Sequence, residues 1–348
     1  MSQYGSGGGA ANLASLASIR PPPHASLLDD AFAPASFLQR EAHLLNETVS
    51  LRRVRTYDGR ASSSFFVPNL NSLDWVLNEV GEKFVRHVFG RVLLNGMMCT
   101  ASASKSRKGR GGMVLDVGAN EGYYGLLSGH WGCRVVLFEP QPGCIALIQA
   151  ALLLNGLGKD MARLIPRPVS STYMELPVLQ TPVCYGGFSG ADNSHYSLKR
   201  LPRHHGKPPT SHTRTIPQNI TTVGSVRFED VFSAADEFAL VKIDVEGAEI
   251  DILTALMPFI RRHQVHNLVV EMTPGWWSKS ATDQAKLVLE EMERYNLTAF
   301  TQSQFTQSQY EQSAPMRSIR VSNLIGFIKS RRPRPQENVW FRLPTRML

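Results

Sequence analysis

Short apolar runs alternate with longer amphipathic segments from residue 113 to residue 329 of this chain. The runs predict buried strands, and the segments between them predict helices. The predicted strands are MVLDV, CRVVLFE, ARLIPRPVS, EFALVKIDV, HNLVVEM and SNLIGFIK, and the predicted helices are EGYYGLLSGHW, QPGCIALIQAALLLNGL, EGAEIDILTALM, which Pro258 should end, and TDQAKLVLEEMERY. Because strands and helices alternate, we expect an α/β domain with a mostly parallel sheet, flanking helices and right-handed crossovers.

The pattern is weaker in the N-terminal third of the chain. Residues 1–36 are rich in Gly, Ala, Ser and Pro, a composition that predicts disorder. Residues 37–110 should form a helical extension and a linker, since LNSLDWVLNEVGEKFVRHVFGRVL places apolar side chains at helical spacing. The main domain is assigned to residues 111–330, with a Gly/Pro-rich insertion at about 185–219 that is typical of a lid or active-site loop. Residues 331–348 are assigned to a basic tail.

The net charge of +8 comes from two short basic runs. KSRKGR at residues 105–110 and KSRRPRP at 329–335 carry four positive charges each, and the rest of the chain is close to neutral. Neither run contains an aromatic residue, so we interpret both as solvated linker or tail charges, with phosphate contact as the alternative. The charge therefore argues against a nucleic-acid partner.

Cysteine content and apolar run length bear on the cellular compartment. The cysteines include no CxxC pair and no histidine partner at zinc-ligand spacing, and they are Cys99, Cys133, Cys144 and Cys184. We therefore expect neither a metal cluster nor a disulfide framework, and we expect a reducing compartment. No apolar run reaches about 18 residues, so no membrane span is expected. The N-terminus lacks the features of a secretory signal, which favours the cytoplasm.

The stretch VLDVGANEGYYG, residues 114–125, joins the first predicted strand to a helix through a glycine-containing turn. A dinucleotide fingerprint needs GxGxxG, but Asn120 occupies the place of the second glycine. Glu121 would repel a phosphate at the helix start, where free amides otherwise favour anions. S-adenosylmethionine carries no phosphate, so this turn favours it over a dinucleotide.

The acids and glycines of this region agree with that cofactor. Asp116, at the end of the first strand, is expected to face the cofactor's ammonium group, while Gly118 and Gly122 let the backbone approach its amino-acid part. Glu139 ends the second strand, where a carboxylate can accept both ribose hydroxyls. Two acids at adjacent strand ends are a stronger signal than the turn alone.

The motifs VLDVGANEGYYG, LFEPQP, LLLNGL and LVKIDVEGAEIDIL resemble the FkbM-type methyltransferases over about residues 110–330. The resemblance implies a Rossmann-like class I methyltransferase fold with a seven-stranded sheet, S-adenosyl-L-methionine as cofactor, and a hydroxyl acceptor on a sugar or natural product. It places the methionine end of the cofactor at Asp116, Gly118, Asn120, Gly122 and Tyr123, the ribose at Glu139 and the adenine near Val169 and Ser170. The long insertion departs from the family pattern.

Methyl transfer to a neutral hydroxyl needs a group that takes the proton. Asp244 and Glu271, at the ends of the fourth and fifth strands, are the candidate bases. The insertion offers further candidates in His195, His204 and His205.

Other residues near these strand ends have two interpretations each. Glu246 and Glu249 either belong to the site or stabilise the start of a helix through its dipole. Trp276 and Trp277 either stack on the acceptor or pack as a lid or core contact. No metal is expected.

The sequence therefore predicts a methyltransferase that acts on a hydroxyl of a sugar, glycan or other small molecule. An RNA or protein methyltransferase that uses the basic segments is one alternative, and a catalytically inactive interaction protein is another. A nicotinamide-dependent dehydrogenase is disfavoured by Asn120 and Glu121.

Overall fold

The computed structural model describes residues 50–55, 64–69, 80–95, 99, 112–179, 184, 220–305, 317–330 and 336–343. The predictions for residues 1–36, for the three histidines of the insertion and for most of both basic runs lie outside the described residues. The chain divides into two units, Met1–Ser50 and Leu51–Leu348, and the described residues belong almost entirely to the second.

One large sheet organises the described part of the chain. Its strands, together with those of two small sheets, are β1 (Ser50–Arg55), β2 (Ser64–Asn69), β3 (Met113–Val117), β4 (Arg134–Phe138), β5 (Ala162–Ile165), β6 (Glu175–Leu179), β7 (Ile220–Gly224), β8 (Phe238–Ile243), β9 (Asn267–Met272), β10 (Thr298–Thr301) and β11 (Glu337–Arg342). Seven strands form the large sheet in the order β10, β11, β9, β8, β3, β4, β5, while β1 pairs with β2 and β6 with β7. Strands β9, β8, β3, β4 and β5 pair in parallel, and β11 runs antiparallel to both of its neighbours. The predicted mostly parallel seven-stranded sheet is confirmed.

Helices cover both faces of this sheet. They are α1 (Val80–Phe89), continued by a π-helical turn (Gly90–Asn95), α2 (Tyr123–His130), α3 (Pro142–Leu154), α4 (Phe228–Val231), α5 (Glu249–Arg261), α6 (Lys279–Arg294) and α7 (Leu324–Lys329). Because successive strand residues point to opposite faces, Leu115 packs in the core under α5 and α6, while Val114 packs in the core under α1, α2 and α3. Within the described ranges, no helix is long and apolar enough to span a bilayer.

The helix expected in the N-terminal extension is present as α1 and packs on the main sheet. Phe84, Val85, Val88 and Phe89 are buried in the same core as Leu126 of α2. The extension is therefore part of the domain core at this point, as the helical spacing predicts.

The structure corrects two expectations for the C-terminal region. The segment expected to be the last strand forms a 3₁₀ turn (Val321–Asn323) followed by α7, because Leu324 and Ile328 share a helix face that is buried against the core. The last strand is instead β11, from within the expected basic tail. It lies between β9 and β10, and its Val339, Trp340 and Phe341 are buried.

Helix α5 also runs further than predicted. Pro258 was expected to end it, but the helix continues to Arg261 with Pro258 inside. A proline in a helix removes a backbone donor and costs about 3 kcal/mol. Phe259 and Ile260, both 0% exposed, are buried by the continuation, and this burial offsets the cost.

The four cysteines form two disulfides, which overturns the expectation of free thiols. Cys99 pairs with Cys133, and Cys144 pairs with Cys184. The partners are 34 and 40 residues apart in sequence, so no local spacing motif reveals the pairing. Only the packing of distant segments brings the sulfurs together.

Candidate active site

The turn between β3 and α2 contains two glycines in left-handed backbone conformations. Gly118 has φ +75° and Gly122 has φ +80°, a region that other residues rarely adopt. A Cβ atom on Gly118 would lie 1.9 Å from the backbone carbonyl oxygen of Asp244, at the end of β8. A Cβ atom on Gly122 would lie 2.9 Å from Cγ1 of Ile148 in α3. Both glycines are required by the shape of the turn and by its close packing.

Asp116 caps helix α2 from the end of β3. Its Oδ2 accepts a hydrogen bond of 2.9 Å from the N–H of Gly125, one of the first-turn amides that lack a partner within the helix. Its Oδ1 lies 3.7 Å from Nζ of Lys242. Burial raises the pKa of Asp116, and Lys242 acts against this rise. Asp116 is 0% exposed and positions the turn through these contacts, and its contact with the cofactor stays a prediction.

Glu139 lies directly after β4 with its carboxylate held by two backbone amides. The N–H of Asn120 donates to Oε2 at 2.8 Å, and the N–H of Gln141 donates to Oε1 at 2.9 Å. Burial raises the pKa of Glu139 to about 7, although both amides favour the ionised form. The Gln141 side chain also hydrogen-bonds to this carboxylate and favours its ionised form. A carboxylate offers about four acceptor positions, so about one remains after these three partners, enough for a single hydroxyl.

Three further residues of the predicted cofactor pocket lie in the described part of the chain. Tyr123 is the first residue of α2 and is half-buried, and burial raises its pKa. Val169 and Ser170 follow β5 and are buried. Val226 holds both of them, through a bridge to Val169 and through a 3.0 Å hydrogen bond from the Ser170 N–H to its carbonyl oxygen. Their proposed contact with adenine stays a prediction.

The end of β8 carries a buried lysine between two aspartates. Nζ of Lys242 lies 3.0 Å from Oδ2 of Asp244 and 3.7 Å from Oδ1 of Asp116, and the lysine side chain is 8% exposed. Burial lowers the pKa of Lys242, but the surrounding carboxylates outweigh burial and raise it. Lys242 is therefore charged and supplies the positive charge that both aspartates need.

The structure brings the two predicted catalytic acids together. Ile243 of β8 pairs with Val270 of the parallel strand β9. Asp244 and Glu271 are the residues that follow this pair, so they lie side by side. Burial and the adjacent Asp244 raise the pKa of Glu271 well above its usual value. Burial also acts to raise the pKa of Asp244, but Lys242 and the hydrogen bond with Glu271 hold it below its usual range. The two carboxyl groups hydrogen-bond to each other, so the ionisation of one affects the ionisation of the other.

Three residues near this pair were not identified as site residues from the sequence. Glu82 of α1 accepts a hydrogen bond from the Tyr124 hydroxyl, and Nζ of Lys242 lies 5.3 Å from the centroid of the Tyr124 ring. Burial raises the pKa of Glu82. A lysine inside the apolar run FALVKI was a usable signal, since lysine is rarely buried without a partner. The sequence around Glu82 contains no comparable signal, because only tertiary packing brings α1 to the carboxyl edge of the sheet.

Glu249 has a structural role at the start of α5. It is 0% exposed and accepts hydrogen bonds from the Gly247 N–H at 2.9 Å, from the Thr273 hydroxyl and from the Trp277 indole N–H at 2.7 Å. These bonds tie the loop after β8 to the segment after β9. Trp277 is accordingly buried in the core, whereas Trp276 is 52% exposed.

Glu246 differs from Glu249 in its surroundings. Its backbone has φ 45°, which is uncommon outside glycine. Its Oε2 is buried and has no hydrogen-bond partner within the described part of the chain. Burial, together with Asp244 and Glu249, raises the pKa of Glu246 to about 8. A buried carboxyl oxygen without a partner next to Asp244 is consistent with a site residue.

The described residues contain no group of three or more His, Cys, Asp or Glu side chains placed to hold a metal ion. The acids at the edge of the sheet instead interact with Lys242, with backbone amides and with one another.

The sheet order with its single antiparallel strand, and the acids at the ends of β4, β8 and β9, define a Rossmann-like methyltransferase domain. The family model of the methyltransferase FkbM domain matches residues 116–297, just over half of the chain. The chain belongs to the FkbM methyltransferase family. No curated protein matches it significantly by sequence.

Solved structures give distant matches. Methyltransferase FkbM from Methylobacillus flagellatus KT is 13% identical with a TM-score of 0.36, and the match covers 76% of this chain and 55% of that one. N-methyltransferase NodS from Bradyrhizobium japonicum WM9, in complex with S-adenosyl-L-homocysteine, is 10% identical with a TM-score of 0.33, covering 79% and 94%. Podospora anserina methyltransferase PaMTH1, also bound to S-adenosylhomocysteine, is 11% identical with a TM-score of 0.31, covering 90% and 97%.

Proposed function

We propose that this chain uses S-adenosyl-L-methionine to methylate a hydroxyl group of a sugar, glycan or other small molecule. The observation that carries the proposal is the Asp244–Glu271 carboxyl pair, which lies at the carboxyl edge of the sheet beside the glycine turn. In open parallel sheets this edge is where ligands bind.

The hydrogen-bond acceptor that supports the cofactor is Glu139 at the end of β4. Two backbone amides and the Gln141 side chain occupy three of about four acceptor positions on its carboxylate, which leaves about one for a ribose hydroxyl. Gly118 and Gly122 shape the turn at this edge through their left-handed backbone conformations. We assign the methionine end to the turn that contains Asn120 and Tyr123, with Asp116 supporting that turn from below.

When bound, S-adenosyl-L-methionine supplies a methyl group on a sulfonium, and the sulfur keeps the bonding electron pair as the methyl leaves. Asp244 accepts the hydrogen of the attacking hydroxyl, whose proton becomes strongly acidic as the new bond to carbon forms. A carboxylate with a low pKa is therefore sufficient as the base. Glu271 orients Asp244 through their hydrogen bond, and Lys242 stabilises the ionised form of Asp244 before the acceptor arrives.

We further propose that the chain works in an oxidising compartment, in place of the cytoplasm expected from the sequence. The reason is the pair of disulfides Cys99–Cys133 and Cys144–Cys184, because thiols are kept reduced in the cytosol of most cells. Mass spectrometry of the alkylated native protein tests this, since four free thiols in protein isolated from its natural source would contradict it.

Calorimetric titration with S-adenosylhomocysteine tests the cofactor, with NADH titrated in parallel. We expect micromolar binding of the first and no heat with the second. Glu139→Ala should weaken binding by about 1.5 to 3 kcal/mol, because it removes the charge-assisted hydrogen bonding to the ribose. Glu290→Ala, an exposed change on α6, is the matched control. A chain that binds neither ligand would favour the interaction-protein alternative, and acceptor binding with a steep salt dependence would favour RNA.

A further inference from the structure

The Cys144–Cys184 disulfide lies against the turn that holds Glu139. Cys144 is the third residue of α3 and is 0% exposed, and Cys184 is 8% exposed. Oδ1 of Asn120 lies 2.7 Å from Sγ of Cys184 and 3.6 Å from Sγ of Cys144. A disulfide sulfur carries no proton, so neither of these close contacts is a hydrogen bond. The side chain of Asn120 thus rests directly on the disulfide.

Asn120 is the non-glycine residue of the turn that has a left-handed backbone. Its φ is 51°, in a region that asparagine adopts more readily than other non-glycine residues. Its N–H is also one of the two amides that hold the Glu139 carboxylate. The position of Asn120 therefore sets the position of one Glu139 oxygen.

The second amide that donates to Glu139 is connected to the same disulfide by helix α3. Gln141, which donates to Oε1 of Glu139, is the N-cap residue of α3, three residues before Cys144. The disulfide consequently contacts one side of the carboxylate cradle through Asn120 and is built into the helix that forms the other side. A displacement of either sulfur should therefore displace the two amides that hold the Glu139 carboxylate.

From these contacts we infer that the Cys144–Cys184 disulfide is a positioning element of the cofactor site, and that cofactor affinity depends on whether this cysteine pair is oxidised. The inference rests on the proposed function for the identity of the ligand. It extends that function, because it makes the binding of S-adenosylmethionine sensitive to reductants. The step itself is ordinary thiol–disulfide exchange: a thiolate of a dithiol reductant attacks one sulfur, its second thiol then displaces the protein thiol, and the products are two cysteine thiols and the oxidised, disulfide form of the reductant.

The other disulfide provides a matched control. Cys99–Cys133 closes a segment of 34 residues and Cys144–Cys184 one of 40, so the loss of chain-entropy stabilisation on removing either is nearly equal. Their locations differ, since Cys133 precedes β4 whereas Glu139 follows it. At about 3.3 Å per strand residue, Cys133 lies roughly 20 Å from Glu139. A purely structural effect should appear with both pairs, and a positioning effect with only one.

The experiment compares wild type, Cys144→Ala/Cys184→Ala and Cys99→Ala/Cys133→Ala by calorimetric titration with S-adenosylhomocysteine, well below each melting temperature. We expect affinity to fall at least fivefold in the first variant and less than twofold in the control, with similar losses of melting temperature. Equal affinities in the two variants would overturn the inference while leaving the proposed function intact, provided that wild type binds.

Two further measurements keep the inference testable. Hydrogen exchange of residues 114–125 needs no ligand, and we expect faster exchange in Cys144→Ala/Cys184→Ala than in the control variant. Unchanged exchange would contradict positioning, whether or not wild type binds S-adenosylhomocysteine. Should Cys144→Ala/Cys184→Ala fail to fold, reduction of the single disulfide left in the control variant replaces it. Affinity should then fall with reductant and return on reoxidation, and affinity that stays constant through this cycle would overturn the inference.

Discussion

Nζ of Lys242 in β8 lies 3.0 Å from Oδ2 of Asp244, the residue that directly follows this strand, and it also pairs with Asp116 on the neighbouring strand. Asp116 and Lys242 are direct partners in the β3–β8 register, and residues two apart on a strand share a face. One ammonium group therefore links the acid that caps α2 to the acid proposed as the base. The ion pairs of Lys242 therefore tie the glycine turn after β3 to the end of β8.

Replacing this lysine should affect both stability and the site. Lys242→Met keeps much of the side-chain volume but leaves the buried Asp116 without its counter-charge. We expect the free energy of unfolding at pH 7 to fall by about 3 kcal/mol or more, and the pKa of Asp244 to rise. Urea unfolding measures the first and carboxyl NMR the second. Lys286→Met, at an exposed ion pair in α6, should cost less than about 1 kcal/mol. Equal costs at the two positions would refute the central role of Lys242.

Gly118→Ala should be far more damaging than the same change at Gly156. Both glycines have positive φ, +75° and +66°, so both changes carry the cost of about 1 kcal/mol for a left-handed alanine. Only at Gly118 does the new Cβ meet another atom, the Asp244 carbonyl oxygen at 1.9 Å, whereas nothing lies within 4 Å of it at Gly156. We expect thermal unfolding to show a several-fold larger loss for Gly118→Ala, with cofactor binding lost as well. Similar melting temperatures for the two variants would disprove the close packing of turn and strand.

The raised pKa of Glu139 predicts a pH dependence with a definite sign. In the unfolded chain this carboxyl ionises near pH 4.5, and in the folded chain near pH 7. Below pH 4.5 both states are protonated and burial costs little, whereas above pH 7 both are ionised and the folded state bears the full cost. Wild type should therefore lose about 3 kcal/mol relative to Glu139→Gln as the pH rises through this window. Urea unfolding of both proteins from pH 4.5 to 8 measures the difference, and a constant difference across the window would show that Glu139 is not buried as a charge.

Cofactor affinity should change with pH in the opposite sense. An ionised carboxylate accepts hydroxyl hydrogen bonds more strongly than a protonated carboxyl, so S-adenosylhomocysteine should bind more tightly as the pH rises from 6 to 8. The affinity of Glu139→Gln should stay flat over the same range in calorimetric titrations. A parallel pH dependence in both proteins would assign the effect to another group.

Asp244→Asn separates catalysis from binding. The change removes the proton acceptor but keeps the shape of the side chain, so turnover should fall about a hundredfold or more while S-adenosylhomocysteine affinity changes by less than about twofold. Release of S-adenosylhomocysteine in the presence of a panel of hydroxylated acceptors measures turnover. Asp283→Asn, exposed on α6, is the control. An equal loss of turnover and affinity would reassign Asp244 to cofactor binding.

Much of the fold follows from local pattern. The apolar runs at β3, β4, β8 and β9 are long and bounded by turns, so strand identity and the parallel arrangement were predictable. Segment 322–329 was misassigned because a short apolar run is compatible with either a strand or a helix, and only the buried side chains of α7 decide between them. Strand β11 was missed because it follows a Pro- and Arg-rich stretch that is typical of a tail.

By itself the sequence determined the α/β class, the glycine turn and the acids at the strand ends, because each depends on a few consecutive residues. Only the tertiary structure decided how those acids behave. The β3–β8 register sets Lys242 opposite Asp116, the next position along β8 and β9 sets Asp244 beside Glu271, and the approach of α1 adds Glu82. The disulfides were likewise decided by packing. Strand register and sulfur distances depend on segments far apart in the chain, and no local spacing of residues encodes them.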